Sequence, residues 1–244
     1  MRRHRYVQSF VAMDGGGPAE SSPGEHPSGR SPLVGESRWP AVGALLAAMA
    51  LTYLLPNALR LGPRLLLPLI ELSLLVALVI GDPRRIERHS RFLRWTSLAL
   101  VTVLVIGALW ATALLIDALI AGQHVTNNAR SLLAAGAVVW VSNNIAFALL
   151  YWELDGGGSA ARAHHPPRYP DLAFPQQLNP ELAPPGWRPR FIDYLYLGFT
   201  NAVAFSPTDV MPLTSWAKVT MAVQSLISLA ILGLVIARAV NVFT

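Results

Sequence analysis

FIDYLYLGFTNAVAFSPTDVMPLTSWAK, residues 191–218, is the stretch on which the fold turns. Residues 191–205 are aromatic and apolar, which suits a helix. They are too few to cross a hydrocarbon core of about 30 Å, which takes about 20 helical residues. The segment then meets Ser206, Pro207, Thr208 and Asp209, where the proline and the aspartate break a helix. A full apolar block, 216–240, begins only a few residues later. A short apolar helix, a sharp non-helical turn and then a full span is the pattern of a re-entrant loop. Non-helical backbone at membrane depth is tolerated only against protein or a water-filled cavity. The pattern therefore predicts a segment that lines or plugs a cavity.

Outward from this stretch, most of the chain is suited to lipid. Hydrophobic residues make up 53% of the 244 residues and charged ones 14%, against about 25% charged in a soluble domain. The mean hydropathy is +0.42. Apolar blocks at 41–59, 65–81, 95–121, 131–152 and 216–240 meet or approach the length of a span. The first two are interrupted by Pro56, Pro63 and Pro68, with Arg60 and Arg64 between them. They read as a helical hairpin with a proline-marked turn; one span plus a tilted interfacial helix is the alternative. The predicted fold is all-α. It is a polytopic membrane protein of about five transmembrane helices plus a re-entrant pore-like helix, multi-pass in the cell membrane, with the lipid bilayer as partner.

The domain reading follows from shifts in composition. Residues 1–40 open with MRRHR and then become rich in Gly, Pro, Ser and Glu, which predicts a disordered tail. No apolar core follows the arginines as a secretory signal requires. Residues 41–94 hold the helical hairpin and a basic loop, and residues 95–152 hold two transmembrane helices. Residues 153–190, with glycines 156–158, His164, His165 and many prolines, read as a Pro-rich loop rather than a compact domain. Residues 191–244 carry the re-entrant helix and the final transmembrane helix. Arg84, Arg85, Arg88, Arg91 and Arg94 assign the basic loop to the cytoplasm, and two spans later the Pro-rich loop too.

Charge and motifs exclude several functions. The net charge of +5 comes from arginines that flank apolar blocks, so no nucleic-acid partner is expected. With no cysteine, disulfides, thiolate zinc sites and cysteine nucleophiles are excluded. His164 and His165 are adjacent and lack the i, i+4 spacing of a helical metal pair. There is no Gly-rich phosphate loop, nucleophile elbow or H-E-x-x-H. Neither an enzyme, a metal nor a cofactor is expected.

Spacing within the quoted stretch goes further. Asp193, Leu195, Tyr196 and Phe199 form D-x-L-Y-x-x-F, and Asp209, Pro212, Thr214, Trp216 and Lys218 form D-x-x-P-x-T-x-W-x-K. The chain from 131 onward resembles the pore module of bacterial potassium channels, which carries such patterns on either side of its filter. The resemblance implies that 131–152 is the outer helix, the Pro-rich loop the turret, 191–205 the pore helix and 216–240 the inner helix. It also implies a homotetramer, since four modules close the central axis. It turns the turret outward, against the charge rule.

The filter departs from that family. Where it has T-V-G-Y-G, this chain has Ala204, Phe205, Ser206, Pro207 and Thr208. A potassium filter points successive backbone carbonyls inward, in conformations that glycine reaches cheaply. Both glycines are absent here, and Pro207 removes an N–H. The position of the inner-helix hinge glycine is Ser228, with Gly233 further on. The expectation is a channel-like protein that conducts ions without potassium-type selectivity, with residues 204–209 at its constriction. The alternative is a non-conducting membrane scaffold or accessory subunit.

Polar residues inside the apolar blocks complete the candidates. Glu71 and Asp117 each cost roughly 2.5–3.5 kcal/mol at a span centre. They suit an ion or proton relay, or for Asp117 an interfacial helix end. Asn143 and Asn144, beside Ser142, suit hydrogen bonds to a neighbouring helix. Gln224, Ser225 and Ser228 lie about one turn apart on the last span. They either wet a cavity or bond a neighbouring helix.

Overall fold

The computed structural model describes residues 36–81, 91–121, 128–164, 169–207 and 209–243. The expectations for the tail up to residue 35, the basic residues 82–90, His165 and Thr208 lie outside these residues. Helix α1, Trp39–Leu54, has Pro40 in its first turn, where a missing N–H costs nothing. It stops at Leu55, ahead of Pro56, because the residue before a proline is pushed out of the helical region. A one-turn 3-10 helix, Asn57–Leu59, leads to α2, Leu66–Gly81. Pro68 does not interrupt α2: it lies in the first turn, where its absent N–H would have no intrahelical partner. Glu36, Ser37 and Arg38, assigned to the tail by composition, lead directly into α1.

Helix α3, Arg91–Ala121, buries Leu93, Leu100, Leu104, Ala108, Ala111, Leu115 and Ala118, a stripe at helical spacing. Helix α4, Ala129–Leu154, is capped by Asn128, whose side chain accepts from the Arg130 N–H at 2.9 Å. By length and composition three helices are long and apolar enough to cross a membrane: Arg91–Ala121, Arg130–Gly157 and Ser215–Val240. α1 and α2 have 16 residues each, just under the ~17 that a span requires. Of the three long helices, the middle one has 67% of its apolar window buried, against 33% and 28% for the others. α4 is therefore the central helix, packed by α1, α3 and the last two helices.

Beyond α4 the chain turns at Gly156, Gly157 and Gly158, all with positive φ, a conformation that other residues adopt only at a cost. A short helix α5, Ser159–His164, follows, then strand β1, Leu172–Ala173, and helix α6, Pro175–Leu178. Within this Pro-rich stretch Leu172, Ala173 and Phe174 are buried. Phe174 packs edge-on against Tyr194 with ring centroids 5.2 Å apart.

Helix α7, Phe191–Ala204, has 14 residues and so rises about 21 Å. It runs back along α4. The Phe191 ring meets Trp152 at 5.9 Å, Gly198 lies against Asn144 and Ala148, and Phe199 meets Trp140 at 6.1 Å. The helix therefore covers one half of α4 and stops. Strand β2, Met211–Pro212, then pairs antiparallel with β1, so the chain returns to the end of the bundle where α7 began. Seven residues lead from Ala204 to Met211, and at about 3.3 Å each an extended chain of that length recovers the rise of α7. Helix α8, Ser215–Phe243, sets out again from that end. It runs in the same direction as α7, with Gln224 beside Gly198 and Ser228 beside Ala202.

Candidate functional site at the end of the half-length helix

One face of α7 is buried: Tyr194, Leu197, Gly198, Asn201 and Ala202. These positions recur every three or four residues, which places them on a single stripe. Gly198 makes the approach close. A Cβ at this position would stand 2.9 Å from Asn144 Oδ1 and 3.4 Å from the Asn144 carbonyl oxygen, so any side chain there requires Asn144 to give way. Asp193 secures the start of the helix by accepting from the Arg190 N–H at 2.7 Å. At the far end Phe205 takes the left-handed conformation, φ 56°. Glycine usually fills that cap, and a non-glycine residue there is strained by about 1–2 kcal/mol.

Beyond the cap, Phe205, Ser206 and Pro207 face Pro212, Lys218 and Ser225 across an open cavity of about 430 Å³. The structure thus assembles Phe205, Ser206, Pro207, Pro212 and Lys218 in one place. Ala204 and Asp209 are exposed beside them. Thr214 accepts from the Lys218 N–H at 3.1 Å through its carbonyl. Tyr196 and Phe199 lie on the opposite, exposed side of α7 with Ile192 and Val203.

Beneath the cavity is a buried amide network. Asn201 Nδ2 donates to Gln224 Oε1 at 2.8 Å and to the Met221 carbonyl at 3.0 Å. Gln224 Nε2 donates to the Gly198 carbonyl at 2.9 Å, and the Tyr151 hydroxyl donates to Gln224 Oε1 at 2.8 Å. The Ser225 hydroxyl donates to Asn201 Oδ1 at 3.1 Å, and that of Ser228 to the Ala202 carbonyl at 2.8 Å. Trp140 Nε1 donates to Ser228 Oγ at 2.6 Å. Gln224, Ser225 and Ser228 all bond a neighbouring helix, and Ser225 also lines the cavity. Asn143 acts similarly, donating to Thr112 Oγ1 on α3 at 2.7 Å. Asn144 is buried against Gly198. Glu71 lies apart, buried on α2, and Asp117 sits exposed on α3. Neither joins the site.

A second polar cluster fastens the start of α7 and α8 to the end of α4. Asp155, buried, accepts from the Tyr194 hydroxyl and from the Leu172 N–H. Asp171 accepts from Trp216 Nε1 at 3.1 Å and from the Gly156 N–H at 2.9 Å. Arg162 donates to the carbonyls of Trp152 and Asp155, and its guanidinium lies 5.0 Å from the Tyr194 ring centroid. Arg94 is not part of a free basic loop, since its guanidinium pairs with Glu153 at 2.6 Å. Trp216 was singled out from the sequence, but Asp155, Asp171, Arg162 and Glu36 were not. Their partners lie outside any one helix or strand, so no periodicity reveals them. For the amide network the sequence offered Gln224, Ser225 and Ser228 on the last span, and Asn201, a polar residue within the aromatic stretch, was the signal that was missed.

Glu36 accepts from Trp152 Nε1 at 3.0 Å and from the Phe191 N–H. Burial pushes its carboxyl above the ordinary glutamate value of 4.5, and the two hydrogen bonds with Arg162 and Arg190 offset only part of that. The native chain therefore binds this proton more tightly than the unfolded chain does. The site's contribution to stability is full below 4.5 and is lost as pH rises through the raised value. Glu36→Gln is expected to flatten that decline, measured as the thermal midpoint against pH. An unchanged slope would show that Glu36 stays ionised in the fold.

Among the described residues no group of three or more His, Asp or Glu side chains is placed to hold a metal ion. No family model, no curated protein and no solved structure matches the chain.

Proposed function

We propose that α4, α7 and α8 form a channel-like pore module, with α7 re-entering the membrane and residues 204–209 at the constriction of a homotetramer. The observation that carries this reading is the path of the chain. A helix of about 21 Å ends halfway along α4, and the chain returns to the end from which the helix set out. In this reading α1 and α2 are two further, short spans, so the protein is a five-span, multi-pass protein of the cell membrane. Ser206 and Thr208 stand where glycines would shape a potassium filter, beside the strained Phe205 cap and Pro207. The pore accordingly passes ions without potassium-type selectivity. Asp209 lies at its mouth, and Trp216 and Lys218 anchor the inner helix.

A second reading, a non-conducting scaffold, is favoured by one feature of α8. Its buried polar residues all bond to α7 or α4, while its exposed face carries Val219, Val223, Leu226, Leu229 and Ile236. A pore lined by such residues is dry at rest, as in hydrophobic gating. The two readings separate in liposomes holding the purified protein under potassium and sodium gradients. The channel reading expects cation flux that Asp209→Ala changes severalfold. Absence of flux under every gradient leaves the scaffold.

A further inference from the structure

Away from the α7 site, a narrow cavity of about 20 Å³ lies between α1, the turn after it, α2, α3 and α4. Three of its lining residues carry buried side-chain atoms with no hydrogen-bond partner: Glu71 Oε2, Ser142 Oγ and Arg60 Nε. Glu71 is 1% exposed and Ser142 is 8% exposed. Buried polar groups are almost always paired, and each exception calls for an explanation. Three around one cavity call for a shared one. The volume suits a single water, which needs about 10–15 Å³ and two to four polar partners. A water here accepts from Arg60 Nε–H and donates to Glu71 and to Ser142, which satisfies all three.

We propose that Glu71 is a proton-binding site inside the helix bundle, its carboxyl gaining and losing a proton through a water shared with Ser142 and Arg60. On protonation the carboxylate takes up one proton and becomes a neutral acid that donates to the water; on release it accepts from the water. The other hydroxyl on the cavity wall, Thr52, is already committed to the Ala48 carbonyl at 3.0 Å. The outer nitrogens of Arg60 are committed as well, to Asn57 Oδ1 at 2.9 Å and the Tyr53 carbonyl at 3.1 Å. The linings from α1, α3 and α4 bring no titratable group, so Arg60 is the one charge facing Glu71 among the described residues. A metal cation is a poor occupant. One carboxylate, one hydroxyl and one water fall short of the six or more oxygens that hard cations such as Ca²⁺ take, and the arginine repels any cation.

Dicyclohexylcarbodiimide, an apolar reagent that couples to protonated carboxyls, tests this on the full chain in phosphatidylcholine liposomes across a pH series. Peptide mapping by mass spectrometry reads the adduct. The expected result is an adduct on Glu71 that falls away as pH rises and is lost in Glu71→Gln. In Arg60→Gln the adduct is expected to persist to more alkaline pH, because the shared water loses the Nε–H donor that supports its bond to the carboxylate. No adduct at any pH in the folded wild-type protein overturns the proposal, and a pH profile unchanged in both Arg60→Gln and Ser142→Ala overturns the shared site. Protection by sodium or potassium at constant pH overturns it as well, making the cavity a cation site. The wild-type labelling is decisive by itself should a variant fail to fold.

Discussion

Asp155→Ala is expected to loosen the end of the bundle that carries both α7 and α8, at a cost of about 3 kcal/mol. Asp155 is buried and accepts two hydrogen bonds, from the Tyr194 hydroxyl and the Leu172 N–H. Alanine leaves both donors unpaired at about 1–3 kcal/mol each. Tyr194 is fully buried under the Phe174 ring and cannot turn to water without opening the packing. Leu172 pairs with Pro212, so the return of the chain after α7 loosens with it. Asp155→Asn keeps the shape and one acceptor oxygen, and is expected to recover about half of the loss. Thermal unfolding in detergent, followed by tryptophan fluorescence, measures both variants. A midpoint for Asp155→Ala equal to wild type would show that the cluster does not hold the α7 turn.

Gly198→Leu is expected to unseat α7 from α4. The approach of the two helices leaves 2.9 Å between a hypothetical Cβ and Asn144 Oδ1, so a leucine has no room. Overpacking of this kind costs about 1–3 kcal/mol, and here the helix can escape by lifting off. That would break the Asn201–Gln224 network in the same event. Gly198→Ala separates two effects of opposite sign. Alanine gains about 1 kcal/mol of helix propensity, while Asn144 must shift by a few tenths of an ångström. The expected result is a midpoint close to wild type for alanine and a clear drop for leucine. Equal midpoints for alanine and leucine would mean that α7 does not pack against α4 as closely as the structure has it.

Much of the fold was legible from apolar blocks and prolines. The block at 95–121 became α3 with four residues added at its start, and the break at Ser206–Asp209 follows a helix of 14 residues, short of the length a span needs. The half-length of α7 was legible too, since its apolar run was short. Helix lengths were harder to judge: residues 41–59 and 65–81 counted as spans by composition, yet Pro56 and the turn at Gly62 leave 16 helical residues in each. Glycines 156–158 read as linker, when their positive φ angles turn the chain so that Asp155 faces Tyr194. The candidate site was half visible. Phe205, Ser206, Pro207, Pro212 and Lys218, which lie close in the sequence, line one cavity, whereas the network linking Tyr151, Asn201 and Gln224 joins three helices.

By itself the sequence determined the alphabet of elements: its long apolar runs form helices, which pair their backbone groups within their own segment, and three of them are long and apolar enough to cross a membrane. The tertiary structure alone decided where the polar residues meet. Asp155 with Tyr194, Gln224 with Asn201, and Glu71 across one cavity from Ser142 are each separated by more than twenty residues along the chain. Their cost or benefit depends on finding a partner or being left without one, and that is a property of helix packing rather than of any one segment.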